Sequence, residues 1–213
     1  MNQKSVPSAS SWFLLVLAGA LSLGCKAELT EANIAELKAL EMTADALPPS
    51  PTNAVADDPL AIALGRKLFF DEDMSADGKI SCASCHDPDH GWSDPVPLSL
   101  GVDDREGGRH SMPITAAALQ DFLFWDGRAD SLWSQAIKAI ESHPEMAFSR
   151  AEVAHHIVDA YADEYLAVFG TLPDLDAVPA STMPGLASWD ELDPSEQQAV
   201  TETLTNTGKA IEA

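Results

Sequence analysis

Apolar residues recur at helical spacing in several stretches, which long polar loops separate. The first stretch opens with Asp58-Pro59, a residue suited to the N-cap followed by proline at the first helical position. Leu60, Leu64 and Leu68 then recur every four residues and predict one apolar face. No stretch alternates with a period of two over the length of a strand. The pattern therefore predicts an all-α fold.

Further helices are predicted downstream, each from a cap or from an apolar face. The second of them opens with a capping box at residues 149–152, and the third ends at Gly170. The third helix spans residues 161–169. The face positions of the others are Leu132, Gln135, Ala136 and Ile140 in the first, Val153 and Ile157 in the second, and Val200, Leu204 and Ile211 in the last. His155 and His156 are expected at the surface of the second helix.

Two loops rich in proline and glycine are predicted at residues 87–118 and 171–192. Long loops inside a compact domain are usually functional. Residues 26–57 are polar and then proline-rich, which predicts a flexible tether with a short helix within residues 30–46 at most. The folded domain is expected to occupy residues 58–213.

Residues 1–25 are interpreted as an export signal. Lys4 precedes an apolar run at residues 12–23 that is too short to span a bilayer comfortably. The run ends in Ser22-Leu23-Gly24-Cys25, which resembles a bacterial lipoprotein cleavage site and predicts lipidation of Cys25. Ordinary signal-peptidase cleavage nearby is the alternative. Both interpretations predict a periplasmic protein, and lipidation adds a membrane anchor.

Cys82, Cys85 and His86 form a single C-x-x-C-H motif, the attachment signature of a c-type haem. The two thiols would add to the haem vinyl groups, and the imidazole would bind the iron. A thioredoxin-like redox pair and half of a zinc site are the alternatives. The first would need a βαβ setting and the second another Cys/His pair. The sequence contains neither, since Cys25 is its one other cysteine.

The formal net charge of −22 excludes a nucleic-acid partner, because so few cations could not neutralise phosphates. The charge is explained either by solubility or by attraction of a basic partner such as a small cytochrome. The second effect would weaken as salt rises.

Several motifs, taken in order, resemble the bacterial dihaem cytochrome c peroxidases over residues 58–213. They are GRKLFFD at 65–71, ISCASCHDP at 80–88, GR at 108–109, FWDGRA at 124–129, QA at 135–136 and PEM at 144–146. The family includes a relative that matures a tryptophan-derived cofactor in methylamine dehydrogenase. The resemblance implies a cytochrome c-like, peroxidatic haem domain with long proline-rich loops. Members continue into a second haem domain, and since this sequence ends inside its last predicted helix, we expect it to be truncated before that domain.

The resemblance also implies roles for single residues. His86 is expected to be the proximal iron ligand, and Gln135 and Glu145 match the polar pair on the side where peroxide binds. Trp125 matches an electron relay between the two haems and is also expected to pack in the core. Arg109 and Arg128 are candidate partners of the haem propionates, which need cations if they are buried.

Two departures from the family pattern affect these expectations. Some members carry a histidine that caps the resting iron, but the corresponding residues here are Gly101-Val102-Asp103, which predicts an open iron. His110 is the main remaining candidate for a sixth ligand, with Met112 and Met146 as thioether alternatives, whereas His90 lies too close to His86 in the chain. His110 also replaces an asparagine that helps to hold interdomain calcium, so calcium is left open.

The predicted function is reduction of hydrogen peroxide to water, with electrons from a donor cytochrome or cupredoxin. Glu145 would move the proton and Gln135 would hold the peroxide. One alternative is a single-haem electron carrier without catalysis, which needs a strong sixth ligand. Another is a dihaem-type oxidase of a protein or organic substrate. A homodimer is left open.

Overall fold

The computed structural model describes residues 29–41 and 47–213. The chain divides into two compact units between residues 46 and 47. In the first unit, helix α1 (Glu31–Ala39) begins at a capping box between Thr30 and Asn33 and buries no side chain. The predicted export segment and Cys25 lie outside the described residues. None of the described helices is long and apolar enough to cross a membrane.

The second unit is helical, which confirms the all-α prediction. Its helices are α2 (Pro59–Phe69), α3 (Cys82–Cys85), α4 (Leu132–Glu141), α5 (Arg150–Ala160), α6 (Ala162–Phe169), α7 (Ala187–Asp190) and α8 (Pro194–Glu212). Within the described part of the chain, extended pairing is limited to isolated bridges in the loop before α4. The loop with short 3₁₀ turns spans residues 86–131, so it includes the predicted loop at 87–118 and extends further.

The helix ends follow the local signals that predicted them. The Asp58 side chain accepts a hydrogen bond from Leu60 N, the predicted capping box opens α5, and Gly170 ends α6 at φ 82°. The predicted face of α2 is partly wrong, because Leu60 is 54% exposed. Ala61, Leu64 and Leu68 are buried instead, as expected for 3.6 residues per turn.

Helix α8 crosses both α2 and α4, and glycine permits both close approaches. A Cβ atom on Gly65 would overlap the carbonyl of Ala210, and one on Gly208 would lie 2.8 Å from the carbonyl oxygen of Trp133. The main core gathers around these crossings. It consists of Leu64, Leu68, Met74, Ile140, Met146, Phe148, Val153, Ile157, Tyr165, Leu204 and Ala210.

The domain begins earlier than the predicted boundary at residue 58. Ser50 Oγ donates to Glu212 Oε1 at 2.5 Å, and Asn53 Nδ2 donates to Lys209 O at 2.9 Å. The Trp133 indole donates to Thr52 Oγ1 at 3.0 Å. The end of the predicted tether is therefore part of the folded unit, packed on α4 and α8.

His156 is not the surface residue that the sequence predicted. Its side chain is 16% exposed, and Nε2 lies 2.8 Å from Asp71 Oδ2. The Tyr161 hydroxyl donates to the same carboxylate oxygen at 2.7 Å. This group of three side chains links the end of α2 to α5 and α6.

Candidate functional site

One cavity of about 620 Å³ brings the predicted site residues of the domain together. This volume lies within the range of roughly 300–1,000 Å³ that is typical of ligand and cofactor pockets. Its lining includes Cys82, Cys85, His86, Arg109, His110, Trp125, Arg128, Gln135 and Glu145. These residues come from α3, α4 and the long loops, so the cavity is assembled from segments far apart in the chain.

Helix α3 is a single turn that places the C-x-x-C-H side chains on the cavity wall. Ser84 Oγ accepts from Ser81 N at 3.0 Å at the start of the turn. His86 N donates to Cys82 O at 2.9 Å at its end. Residues three apart share one face of a helix, so both thiols line the same wall.

The two cysteines are half-buried, and their thiols are poorly suited to redox exchange. Burial raises the pKa of the Cys82 thiol to about 12. Burial also raises the pKa of the Cys85 thiol, although the nearby Ser99 hydroxyl favours the thiolate. Reactive redox cysteines have a lowered pKa, so a thioredoxin-like pair is disfavoured. Among residues 29–41 and 47–213, no three His, Cys, Asp or Glu side chains are placed to hold a metal ion.

The His86 ring has one nitrogen directed at the protein. Nδ1 lies 3.4 Å from Trp92 O and 3.4 Å from Ser111 Oγ. Burial lowers the pKa of His86, which favours the neutral imidazole. A proton held on Nδ1 by the carbonyl leaves the lone pair on Nε2, the arrangement of a metal-binding histidine.

The cavity wall fits a haem attached through these residues. Apolar side chains such as Leu123 and Leu132 line it, and Arg109 and Arg128 supply positive charge for carboxylates. Ser99 Oγ is buried on the same wall without a hydrogen-bond partner among the described residues. The nearby thiol is only a weak partner. Haem is an apolar group with carboxylates at its edge, and it is attached through two thioethers and an imidazole. These properties match the residues of the cavity wall.

Both arginines contact one carboxylate that the sequence reasoning missed. Arg109 Nη1 donates to Asp126 Oδ2 at 2.7 Å, and Arg128 Nη1 donates to Oδ1 at 2.8 Å. The guanidinium of Arg109, followed by that of Arg128, lowers the pKa of Asp126 to about 2. Arg128 also stacks on the Phe124 ring, 3.4 Å from its centroid. Asp126 and Arg128 are two residues apart in the sequence, and this short spacing was a local signal for their ion pair.

Trp125 does not pack in the core as expected. It is 59% exposed at the cavity, and its indole donates to His110 O at 2.8 Å. Trp125 thus lies on the cavity wall and not in the described core, and its relay role stays a prediction.

Three of the candidate sixth ligands, His110, Met112 and Met146, line the cavity, but His110, His90 and Met146 are held by other contacts. His110 Nδ1 lies 3.0 Å from Val96 O, and its Nε2 lies 3.2 Å from Ser93 Oγ. His90 Nδ1 lies 2.7 Å from Asp87 Oδ2. Met146 is buried in the main core. These two histidines and Met146 would lose their contacts if they turned toward an iron in the cavity.

Glu145 and Gln135 present a carboxyl and an amide to the cavity. Burial raises the pKa of Glu145, and a hydrogen bond from Ser142 Oγ to Oε1 at 3.1 Å opposes part of that rise. Gln135, on α4, makes no side-chain hydrogen bond with the described residues, so its amide can bind a ligand. The sequence reasoning missed Ser142, although its position three residues before Glu145 is a local signal.

Comparison with known proteins gives one family. The sequence model described as "Di-haem cytochrome c peroxidase" matches residues 59–212. The methylamine utilization protein MauG of Methylorubrum extorquens is 32% identical over 175 residues, which cover 78% of this chain and 49% of that protein. The cytochrome c551 peroxidase of Nitrosomonas europaea is 35% identical over 128 residues, 58% of this chain and 38% of that protein. The chain thus spans half or less of the length of these relatives.

Solved structures share the fold. The diheme peroxidase BthA from Burkholderia thailandensis superposes with a TM-score of 0.55 at 23% identity, covering 73% of this chain and 38% of that one. A MauG-like protein associated with microbial copper homeostasis gives a TM-score of 0.53 at 20% identity, covering 80% and 47%.

Proposed function

Because the chain belongs to the di-haem cytochrome c peroxidase family, we propose that it reduces hydrogen peroxide to water at a covalently attached haem c. One observation carries the proposal. A half-buried carboxyl, Glu145, and an unengaged amide, Gln135, line the same cavity as Cys82, Cys85 and His86. A site for electron transfer alone does not need a proton-transfer group in the cavity.

The haem would be held by residues of α3 and its end. Cys82 and Cys85 would hold it covalently, each thiol adding across one vinyl group so that an S–C bond forms and the thiol hydrogen goes to the neighbouring carbon. The free Nε2 of His86 would bind the iron, and Arg109 and Arg128 would lie near the carboxylates. When bound, the haem supplies the iron that binds peroxide and the redox chemistry that reduces it.

The polar residues of the cavity would then handle the peroxide and its proton. The Glu145 carboxylate takes a proton from hydrogen peroxide and returns it to the oxygen that leaves as water. The Gln135 amide hydrogen-bonds the peroxide and fixes its orientation. Two electrons from the donor and two protons from solvent complete the conversion of one peroxide to two waters.

A small cytochrome or cupredoxin would provide the electrons, and its association would weaken with salt because this chain carries a net charge of −22. Since the family is di-haem and the sequence has one C-x-x-C-H, we propose that electrons pass through a second haem domain, with Trp125 as relay. We also propose a periplasmic location with Cys25 lipidated. Calcium and a homodimer are further possibilities for that assembly.

The test is rapid mixing of the haem-loaded protein with hydrogen peroxide, followed by its optical spectrum and by peroxide consumption with a reduced donor. The proposal expects binding of added cyanide, a rapid spectral change with peroxide, and turnover. A low-spin spectrum with no cyanide binding and no turnover would instead show an electron carrier. Peroxide consumption that requires an organic or protein substrate in place of the donor would show an oxidase.

Ser142→Ala is expected to shift the pH dependence of the peroxide reaction. Glu145 works as a carboxylate, so the rate falls as the pH drops through its raised pKa. The Ser142 hydrogen bond favours the carboxylate, and its loss raises the pKa further and moves this fall to higher pH. A charged hydrogen bond contributes about 1.5–3 kcal/mol, less when partly exposed, so the rate on the acidic side should fall roughly 3- to 10-fold.

The measurement is the second-order rate constant for peroxide across the acidic to neutral range. Ser195→Ala, in the exposed first turn of α8, is the control and should leave the profile in place. An unchanged profile in Ser142→Ala would contradict the assignment of the acidic limb to Glu145.

A further inference from the structure

We propose that a turn formed by residues 101–105, called here the Gly101 turn, positions Glu145 for proton transfer by direct backbone contact. The inference rests on the proposed function, since it assigns a positioning role toward the residue that moves the proton. Gly101 and Glu145 both line the cavity, although the rest of the long loop and the whole of α4 separate them in the sequence.

Gly101 packs directly against the backbone that carries Glu145. A Cβ atom at this position would overlap the carbonyl oxygen of Pro144 and would lie 2.5 Å from Glu145 O and 2.8 Å from Glu145 Cα. Real Cβ atoms essentially never come this close to backbone. The Gly101 φ of −99° is accessible to any residue. Glycine is therefore required here by the close approach and not by the backbone conformation.

Hydrogen bonds hold the same two segments together. Val102 N donates to Glu145 O at 2.8 Å, and the turn is closed by Gly101 N donating to Arg105 O at 2.8 Å. Arg105 Nη1 donates to His143 O at 3.3 Å, so the turn contacts the Glu145 segment on both sides of Pro144. Val102 is 3% exposed, so its buried side chain anchors the start of the turn, while Asp103 and Asp104 are exposed.

Backbone strain lies on both sides of this contact. Asp103 and Asp104 have φ values of 57° within the turn, and Ala147 has a φ of 50° two residues after Glu145. The left-handed region costs residues other than glycine of the order of 1 kcal/mol or more, and such conformations persist where the surroundings impose them. They cluster at functional sites. The strain therefore supports an imposed, specific placement of Glu145.

The Glu145 side chain thus has two supports. The Gly101 turn fixes its backbone, and Ser142 Oγ contacts its Oε1. A carboxylate that transfers a proton must lie within hydrogen-bond reach of the peroxide. A displacement of about 1 Å by a remote change can cost about 100-fold in rate.

The test is a double-mutant cycle on the haem-loaded protein with Gly101→Ala and Glu145→Gln. Gly101→Ala should lower the rate constant for peroxide by roughly 10- to 100-fold, because it moves the Glu145 backbone. In the Glu145→Gln background the same change should have little further effect, since its target is already lost. An equal loss in both backgrounds would overturn the proposal.

Gly107→Ala is the matched control within the same loop. Its Cβ atom would lie 3.5 Å from Ser99 O and 3.7 Å from Arg109 O, ordinary contact distances. It should leave the peroxide rate near that of the parent protein. Haem content and the optical spectrum of each variant report whether the site has formed.

Cyanide binding provides a readout other than turnover. Hydrogen cyanide must lose its proton on binding, so its association rate should fall in Gly101→Ala and in Glu145→Gln alike. An association rate that falls in Glu145→Gln but not in Gly101→Ala would contradict the positioning role. If Glu145→Gln itself changes neither rate, the proposed function fails and not only this inference.

Arg105→Ala keeps the proposal testable if Gly101→Ala does not load haem. Its side chain is accessible to solvent, so its removal should not prevent folding, and it takes away one of the contacts to the Glu145 segment. A rate loss of a few-fold that disappears in the Glu145→Gln background is expected. A loss that persists there would overturn the proposal as well.

Discussion

Glu145→Gln is expected to slow the reaction of the haem-loaded protein with hydrogen peroxide by about 10²- to 10⁴-fold, the usual contribution of a positioned acid–base group. Glutamine keeps the size of the side chain and an oxygen that can accept from Ser142 Oγ. It cannot take up the peroxide proton. The change therefore removes the chemistry while leaving the cavity wall in place.

The measurement is the second-order rate constant from stopped-flow mixing. Glu106→Gln removes a carboxylate from an exposed position in the loop that contains the Gly101 turn and serves as the control. Both substitutions change the net charge by the same amount, so a difference in rate between them reports the position of Glu145 and not the overall charge. A rate constant for Glu145→Gln that equals that of the control would contradict the assignment of Glu145 as the proton-transfer group.

Gly65→Ala is expected to destabilise the domain by at least about 2 kcal/mol, since overpacking typically costs 1–3 kcal/mol and here the obstacle is backbone. The new methyl group would overlap the Ala210 carbonyl where α2 crosses α8. Alanine in a helix recovers only about 0.5–1 kcal/mol relative to glycine. The two helices would have to move apart, which also shifts Ile211 on the cavity wall.

Thermal unfolding followed by circular dichroism should show a melting temperature lower by roughly 4–8 °C or more for a domain of this size. Gly108→Ala is the comparison, because a Cβ atom there would meet nothing within 4 Å. A melting temperature for Gly65→Ala equal to that of Gly108→Ala would show that the α2–α8 crossing tolerates a side chain.

The helices were predictable where their signals are local. The local signals are Asp58-Pro59, the capping box that opens α5, and Gly170. Each acts on the backbone hydrogen-bonding groups of a helix end within a few residues, so its effect can be predicted from the sequence. The apolar face of α2 was less exact. A spacing of four residues drifts around a helix of 3.6 residues per turn, which left Leu60 exposed and buried Ala61.

The motifs predicted a set of residues that line one cavity, but the surroundings of those residues were not predictable. The roles of Gly65 and Gly101 depend on backbone from distant segments, and no local pattern encodes those approaches. The same is true of residues 50–53, whose polar side chains looked like a tether until their partners on α4 and α8 were known. Trp125 looked like core because of its size, yet it lies exposed at the cavity.

Helix α8 has a consequence for the order in which the protein is assembled. It supplies Ile211 to the cavity wall and contacts Asn53, 156 positions earlier in the chain. Synthesis runs from the N-terminus, so the C-x-x-C-H motif emerges well before α8, and contacts between distant residues form late. A domain in which α8 has not yet packed would therefore keep one side of the cavity open. We expect haem to be attached through that side, and the arrival of α8 to enclose it.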